Sequence, residues 1–370
     1  MPALPCIQAL EVWPLNIELL EPFGIAGGAQ AVAENALVRL TLDDGSVGVG
    51  EAAPFPAVNG ETQAGAIAAV TRVTPALIGR PARFRTLARW LEEELPADAS
   101  ARCALETACL DALARRARLS LWALFGAAED TLTTDITIPT GDERQAERAA
   151  RRAAAEGFGV LKLKVGGGPL ERDAARFDAA ARAAPDARFI LDANASMTAS
   201  DALTLLDKAG AGRPRIALFE QPCAADDLEG MRAVRRHGRV RVAADESATR
   251  REDVARLAVA QAADVINLKI MKSGLVAALD MAQSAKGQGL GLMIGGMVES
   301  RLAMTVSACL AGGLGGFEHV DLDTPLFMRN SPVLGGFEQT GAELGLLAVG
   351  HGHGVRLSQT GGLSAKIGIE

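Results

Sequence analysis

The spacing of apolar positions changes along the chain, and each change marks a different kind of structure. In the first 60 residues apolar and polar positions alternate through IQALEVWPLNI and NALVRLTLDDGSVGVGEA, the two-residue period of half-buried strands. A DDG turn interrupts the second stretch, and the glycine-containing loop PFGIAGGAQ joins the two. Residues 61–125 take up helical spacing, as in RCALETACLDALARRA. From about residue 131 short apolar runs follow, most of them closed by a charged or polar residue: TTDITI, GVLKLKV, RFILDAN, IALFEQP, VRVAADE, DVINLK, GLMIGG and FEHVD. Lys162, Asp192, Glu220, Asp245 and Lys269 recur within them every 24–30 residues, and helix-forming sequence such as ERQAERAARRAAAEG fills most gaps. Strand and helix alternating at that period predict parallel βα units, and eight of them predict an α/β fold with a TIM-type barrel. The expected division is an α+β domain over 1–125, joined by the tail at roughly 325–370, and a barrel over 126–324. The tail is Gly-rich, ends in the short β-like pieces HGVRLSQ and AKIGIE, and is expected to return to the N-terminal domain.

Composition agrees with this plan and narrows the chemistry. A chain of 370 residues accommodates one barrel of about 250 residues and a smaller domain. The formal net charge of −7, with no basic run to set against it, points away from nucleic acid. No charged-then-apolar leader opens the chain, and no apolar stretch reaches the roughly 18 residues of a membrane span. Five scattered cysteines without paired spacing read as reduced thiols, so a cytoplasmic location is expected. There is no Tyr and there are only four His, so few candidates exist for acid–base work by either. The 38 basic residues divide into 31 Arg and seven Lys. Lysine is the one that titrates usefully when desolvated, so the positions of those seven carry information.

The polar residues closing the apolar runs lie at the C-terminal ends of expected strands, the end where a TIM barrel carries its active site. Helix capping explains one or two of them. It does not explain Asp192, Glu220 and Asp245 on three successive strands. Neighbouring strands lie about 5 Å apart, so the three carboxylates are expected to converge and to need a cation. All-oxygen ligation favours a hard ion, Mg²⁺ with Mn²⁺ as a substitute. Asn194, two residues past Asp192, and Glu246, next to Asp245, are placed to brace the ligands. Lys162 and Lys164 are two apart on one strand, so both point into the barrel while Leu161 and Leu163 face the helices. Lys269 ends a strand four positions further round. Desolvation and neighbouring cations are expected to lower a lysine's pKa there and make it a competent base. Two opposed lysines and a metal suggest removal of a proton next to a carboxylate from one face and its return from the other.

These residues, in the pieces KLK, LDAN, FEQP, ADES and NLK, resemble the enolase superfamily over essentially the whole chain, specifically its muconate-lactonizing subgroup. Within it, TDITI and the acidic pair Asp321 and Asp323 in HVDLDTP resemble the dipeptide epimerases, including Ala-Glu epimerases. The resemblance implies a (β/α)7β barrel closed by a capping domain built from the N-terminal region and the C-terminal tail. It implies a Mg²⁺-dependent epimerase that inverts the α-carbon of a dipeptide's C-terminal residue through an enediolate, a chemistry general to enolase-superfamily sites. Lys164 and Lys269 would be the acid–base pair and Asp192, Glu220 and Asp245 the metal ligands. Thr137 and Lys162 would contact the substrate carboxylate, Met297 the dipeptide backbone, and Asp321 and Asp323 the amine. Physically, two carboxylates on one face suit an ammonium group. The mobile loop of the capping domain corresponds to PFGIAGG, where Gly24 stands at the place of an Arg in Ala-Glu epimerases. Cycloisomerases, o-succinylbenzoate synthases and N-acylamino acid racemases share the lysines and metal but have no evident use for the acidic pair. The resemblance also allows assembly into a homo-oligomer, frequent among such barrels.

Overall fold

The structure, a computed structural model, describes residues 4–25 and 28–358, so AKIGIE lies outside the described residues. Three antiparallel strands open the chain: β1 (Ile7–Ile25), β2 (Gly28–Leu42) and β3 (Val47–Ala52). The DDG turn between β2 and β3 is tight, with Gly45 at φ +85° and the Leu42 N–H donating to Ser46 O. Three helices follow, α1 (Gln63–Leu77), α2 (Phe84–Glu94) and α3 (Ala99–Arg116). The alternate glycines of VGVGEA have a packing reason. A Cβ at Gly48 or Gly50 would lie 2.1 Å from Ala108 O or Ala104 O, so β3 and the Ala-rich α3 meet backbone to backbone. Most of α3 is buried, because its other side faces the barrel.

The barrel strands are Ile136–Ile138, Val160–Lys164, Arg188–Asp192, Ile216–Glu220, Val242–Ala244, Val265–Leu268, Gly291–Ile294 and Phe317–Val320, numbered here one to eight. They form a single parallel sheet in sequence order. The Asp135 N–H donates to Val320 O (2.8 Å), which brings the first and last strands together. Period-two alternation sorts the side chains as the sequence predicts. Leu161, Leu163, Phe189, Leu191 and Phe219 pack outward with the helices in the main core. Ile190, Leu218, Ala243, Val265 and Met293 form a separate apolar cluster inside the barrel. That plug is the floor on which the polar mouth stands, because Ile190, Leu218 and Ala243 lie two positions before Asp192, Glu220 and Asp245.

The described part of the tail pairs with several regions. Glu343–Gly345 pairs with Thr131–Thr133, the Met328 backbone bridges Leu19 of β1, and the Leu121 N–H donates to Gly352 O. His353 is fully buried against Asp111 of α3. Among the described residues no helix is long and apolar enough to cross a membrane.

Candidate active site

The strand ends place the predicted residues at one level. Lys164 is in register with Asp192, and Asp192 with Glu220, on strands two, three and four. All three carboxylates, Asp192, Glu220 and Asp245, are essentially without exposure. Each has one oxygen held from behind by the scaffold. Asp192 Oδ1 accepts from the Asn194 backbone N–H (2.9 Å), Glu220 Oε1 from Asn267 Nδ2 (2.8 Å), and Asp245 Oδ1 from Lys272 Nζ. The other oxygen of each meets a mouth lysine. Asp192 Oδ2 takes Lys164 (2.6 Å) and Lys162 (3.0 Å), and Asp245 Oδ2 takes Lys269 (2.6 Å). Glu220 Oε2 lies 2.9 Å from Lys162 Nζ but at an angle that makes no hydrogen bond. Three buried carboxylates, each presenting one oriented oxygen to cationic groups, fit a hard divalent cation. They do not converge as tightly as the sequence suggests, because lysine ammoniums stand between the mutually repelling acids. Among the described residues the acids whose ligand oxygens all lie within 4.8 Å of one another are instead Asp135, Asp321 and Asp323.

The electrostatics correct a second expectation. Burial alone would lower Lys162 and Lys269, but the carboxylates around them outweigh it and hold both above the ordinary lysine range. Lys272, also bonded to Asp245, is the one that burial succeeds in lowering. Burial opposes ionisation of Asp192 and Asp245, yet their lysines hold both below the usual carboxylate range. Burial and the neighbouring Asp192 push Glu220 up to about 8.

Lys162, 1 % exposed, reaches a third acid, Asp321, at 2.7 Å. Asp323 Oδ2 accepts the Thr137 backbone N–H at 2.6 Å, and burial together with Asp321 pushes this carboxyl up to about 7. The Asn194 side chain accepts from Lys164 (3.2 Å) and donates to Glu246 (3.3 Å). Thr137, Lys162, Lys164, Asn194, Lys269, Met297, Asp321 and Asp323 all line one cavity. Asp192, Glu220, Asp245 and Glu246 do not appear on its wall. The cavity is narrow, about 30 Å³. Gly24 is buried in β1 and is not among the lining residues.

Several participants were not foreseen. Phe55 and Val58 close the cavity from the capping side. Gln221 Oε1 accepts the N–H groups of Asp245 and Ser247, tying strand four to the loop after strand five. Asn267 and Asp135 lie two residues before Lys269 and Thr137, so period two alone could have placed both inside the barrel. Lys272 was visible only as one of seven lysines. The backbone is strained at this rim: Asn194, Ala195 and Gln221, directly after the strand-end acids, all have positive φ (44°, 61° and 34°).

Two family models cover the chain. Residues 9–126 match the mandelate racemase / muconate lactonizing enzyme N-terminal domain, and residues 144–360 match the enolase C-terminal domain-like model. The chain belongs to the enolase superfamily. Among relatives of this enolase-superfamily chain, an aromatic dipeptide epimerase of Herpetosiphon aurantiacus is 47 % identical, across 95 % of this chain and 99 % of the relative. An L-Ala-D/L-Glu epimerase of Thermotoga maritima is 34 % identical, across 88 % and 94 %. A dipeptide epimerase of Enterococcus faecalis, solved with Mg and L-Leu-L-Tyr, superposes with a TM-score of 0.90 at 31 % identity, covering 95 % of this chain and 99 % of that one.

Proposed function

We propose that the protein epimerises dipeptides at the α-carbon of their C-terminal residue, with an apolar or aromatic side chain at that residue. The observation that carries this reading is one cavity lined by Lys164 and Lys269 and by the Asp321–Asp323 pair. The lysines serve proton transfer at a carbon acid, and the acids serve an ammonium group. Cycloisomerisation and succinylbenzoate synthesis use no ammonium and leave the pair without a role. The apolar side-chain preference rests on Phe55, Val58 and Met297 in the cavity wall, and on Gly24 where Ala-Glu epimerases carry Arg. The aromatic dipeptide epimerase at 47 % identity supports the same choice.

Asp192, Glu220 and Asp245 would hold Mg²⁺, which supplies positive charge opposite the substrate carboxylate. In the proposed roles, Lys162 and Thr137 orient that carboxylate, and Asp321 and Asp323 fix the amine. Lys164 and Lys269 then work on opposite faces of the α-carbon. One removes the proton and the other delivers a proton to the enediolate, so configuration inverts. Lys269 Nζ is held by Asp245 Oδ2 at 2.6 Å, an oxygen that a bound cation would engage in the lysine's place. The test is incubation with Mg²⁺ and a dipeptide library in D₂O. Deuterium should enter the α-carbon of the C-terminal residue, fastest for aromatic side chains. No exchange in any dipeptide, together with turnover of a cyclohexadiene carboxylate, would sink the reading.

A further inference from the structure

On the face opposite the mouth, arginines from two neighbouring elements converge on a cavity of about 470 Å³. Arg232, Arg235 and Arg236 come from the helix Leu228–Gly238, Arg239 from its end, and Arg241 from the approach to strand five. The one acid in the wall is Asp264, and it is engaged by Arg235 Nε at 2.7 Å. Arg241 is paired with Glu318, and Arg232 with Glu229 at 3.3 Å. Among the described residues no carboxylate pairs with Arg236 or Arg239, and both are exposed.

Cations at a helix C-terminus are ordinarily explained by the macrodipole. That end carries only about half a negative charge, too little for two unpaired guanidiniums beside three paired ones. The field extends inward to strand eight, where burial and then Arg241 lower His319 against the opposing Glu318. A chain of net charge −7 thus concentrates positive charge in one concave place.

We propose that this groove binds a small anion carrying two or more phosphate groups. Guanidinium forks match phosphate oxygens in pairs. Several guanidiniums mounted around one open groove suit a short phosphate chain better than a single carboxylate. A free oligophosphate and the phosphate tail of a nucleotide share this chemistry.

Calorimetric titration of the full chain with inorganic tripolyphosphate tests the site, with the same excess of Mg²⁺ in cell and syringe so that chelation contributes no heat, at about 150 mM salt where exposed charges are largely screened. One saturable site is expected. ATP run in parallel separates the sources: equal affinity assigns binding to the phosphates alone, and binding more than about tenfold tighter adds the nucleoside. Combining Arg236→Gln with Arg239→Gln removes two charge-assisted contacts and should raise Kd at least about tenfold. Dipeptide epimerisation and the melting temperature should stay unchanged. Absence of saturable binding at that salt overturns the proposal. So does wild-type affinity in the double variant, which would put the phosphates elsewhere, for example at the metal ligands.

Discussion

Glu51 in the capping domain and Asp323 at the barrel mouth are equally buried, each 1 % exposed, yet their oxygens are treated differently. Glu51 accepts from Asn35 Nδ2 (2.7 Å), from the Ser300 and Ala303 backbone N–H groups (2.9 and 3.2 Å) and from the Ser300 hydroxyl. Asp111, on the same domain, is saturated by the N–H groups of Val49 and His353 and by Arg115. Asp323 accepts one backbone bond on Oδ2 and none on Oδ1, and both oxygens of Asp135 lack a partner. Asp192 and Asp245 are met by lysine ammoniums, which can swing away. Glu51 and Asp111 are each tied in part by two backbone N–H donors, which cannot leave. Acids at the mouth keep unused lone pairs or movable partners. Each unsatisfied buried group costs about 1–3 kcal/mol, so such an arrangement persists where a ligand is to complete it.

The sharpest way to test the mouth half of this contrast is to remove its lysines. Lys164→Ala and Lys269→Ala should each slow epimerisation by about 10³-fold or more, within the range for loss of a positioned acid–base group. Each variant should still exchange the α-proton of one enantiomer in D₂O while melting close to wild type. An alanine variant that epimerises normally would exclude the two-base mechanism.

The capping half is broken by Glu51→Ala. It strands the N–H groups of Ser300 and Ala303 and the Asn35 amide, and should lower unfolding stability by about 2–3 kcal/mol in urea. Mg²⁺ affinity should hardly move, since none of the three strand-end acids contacts Glu51. If stability were unchanged, or metal binding fell instead, the division between fixed and movable carboxylates would fail.

A smaller effect sharpens the boundary between the two groups. Lys272 is a mouth lysine tied in the capping manner, with bonds to Asp245 O (2.7 Å) and Asn267 O (2.9 Å) as well as to the Asp245 carboxylate. Lys272→Met should weaken Mg²⁺ binding by about 10–100-fold, as removal of a group supporting a metal ligand does. Calorimetry would read this directly, and unaltered affinity would show that Asp245 needs no such anchor.

Residue by residue, legibility followed one rule. Whatever depended on the direction of a side chain along its own strand could be read: Lys162 and Lys164 inward, Leu161 and Leu163 outward, and Asp192, Glu220 and Asp245 at the C-terminal rim. The Asp321–Asp323 pair was legible on the same ground together with family resemblance, and Thr137 from the resemblance alone. What required knowing a partner from a distant part of the chain could not be read. Asp135 joins Asp321 and Asp323 only because strand one closes on strand eight. Glu51 meets Ser300 across 249 residues, and nothing local to either marks the other. The upward shift of Lys162 and Lys269 is beyond local reading for the same reason, since it depends on which carboxylates each ammonium reaches.

By itself, the sequence determined the architecture, the strand ends that form the barrel mouth and the identity of the acids and lysines there. Those follow from periodicity and from the handedness of parallel βα units, which leave few alternatives. The tertiary structure alone decided how charges pair, which lone pairs remain unused, how the capping domain's Phe55 and Val58 close the cavity, and that scattered arginines share one groove. Pairing is a property of distance in space, and a chain fixes distance only after strands far apart in sequence have packed against one another.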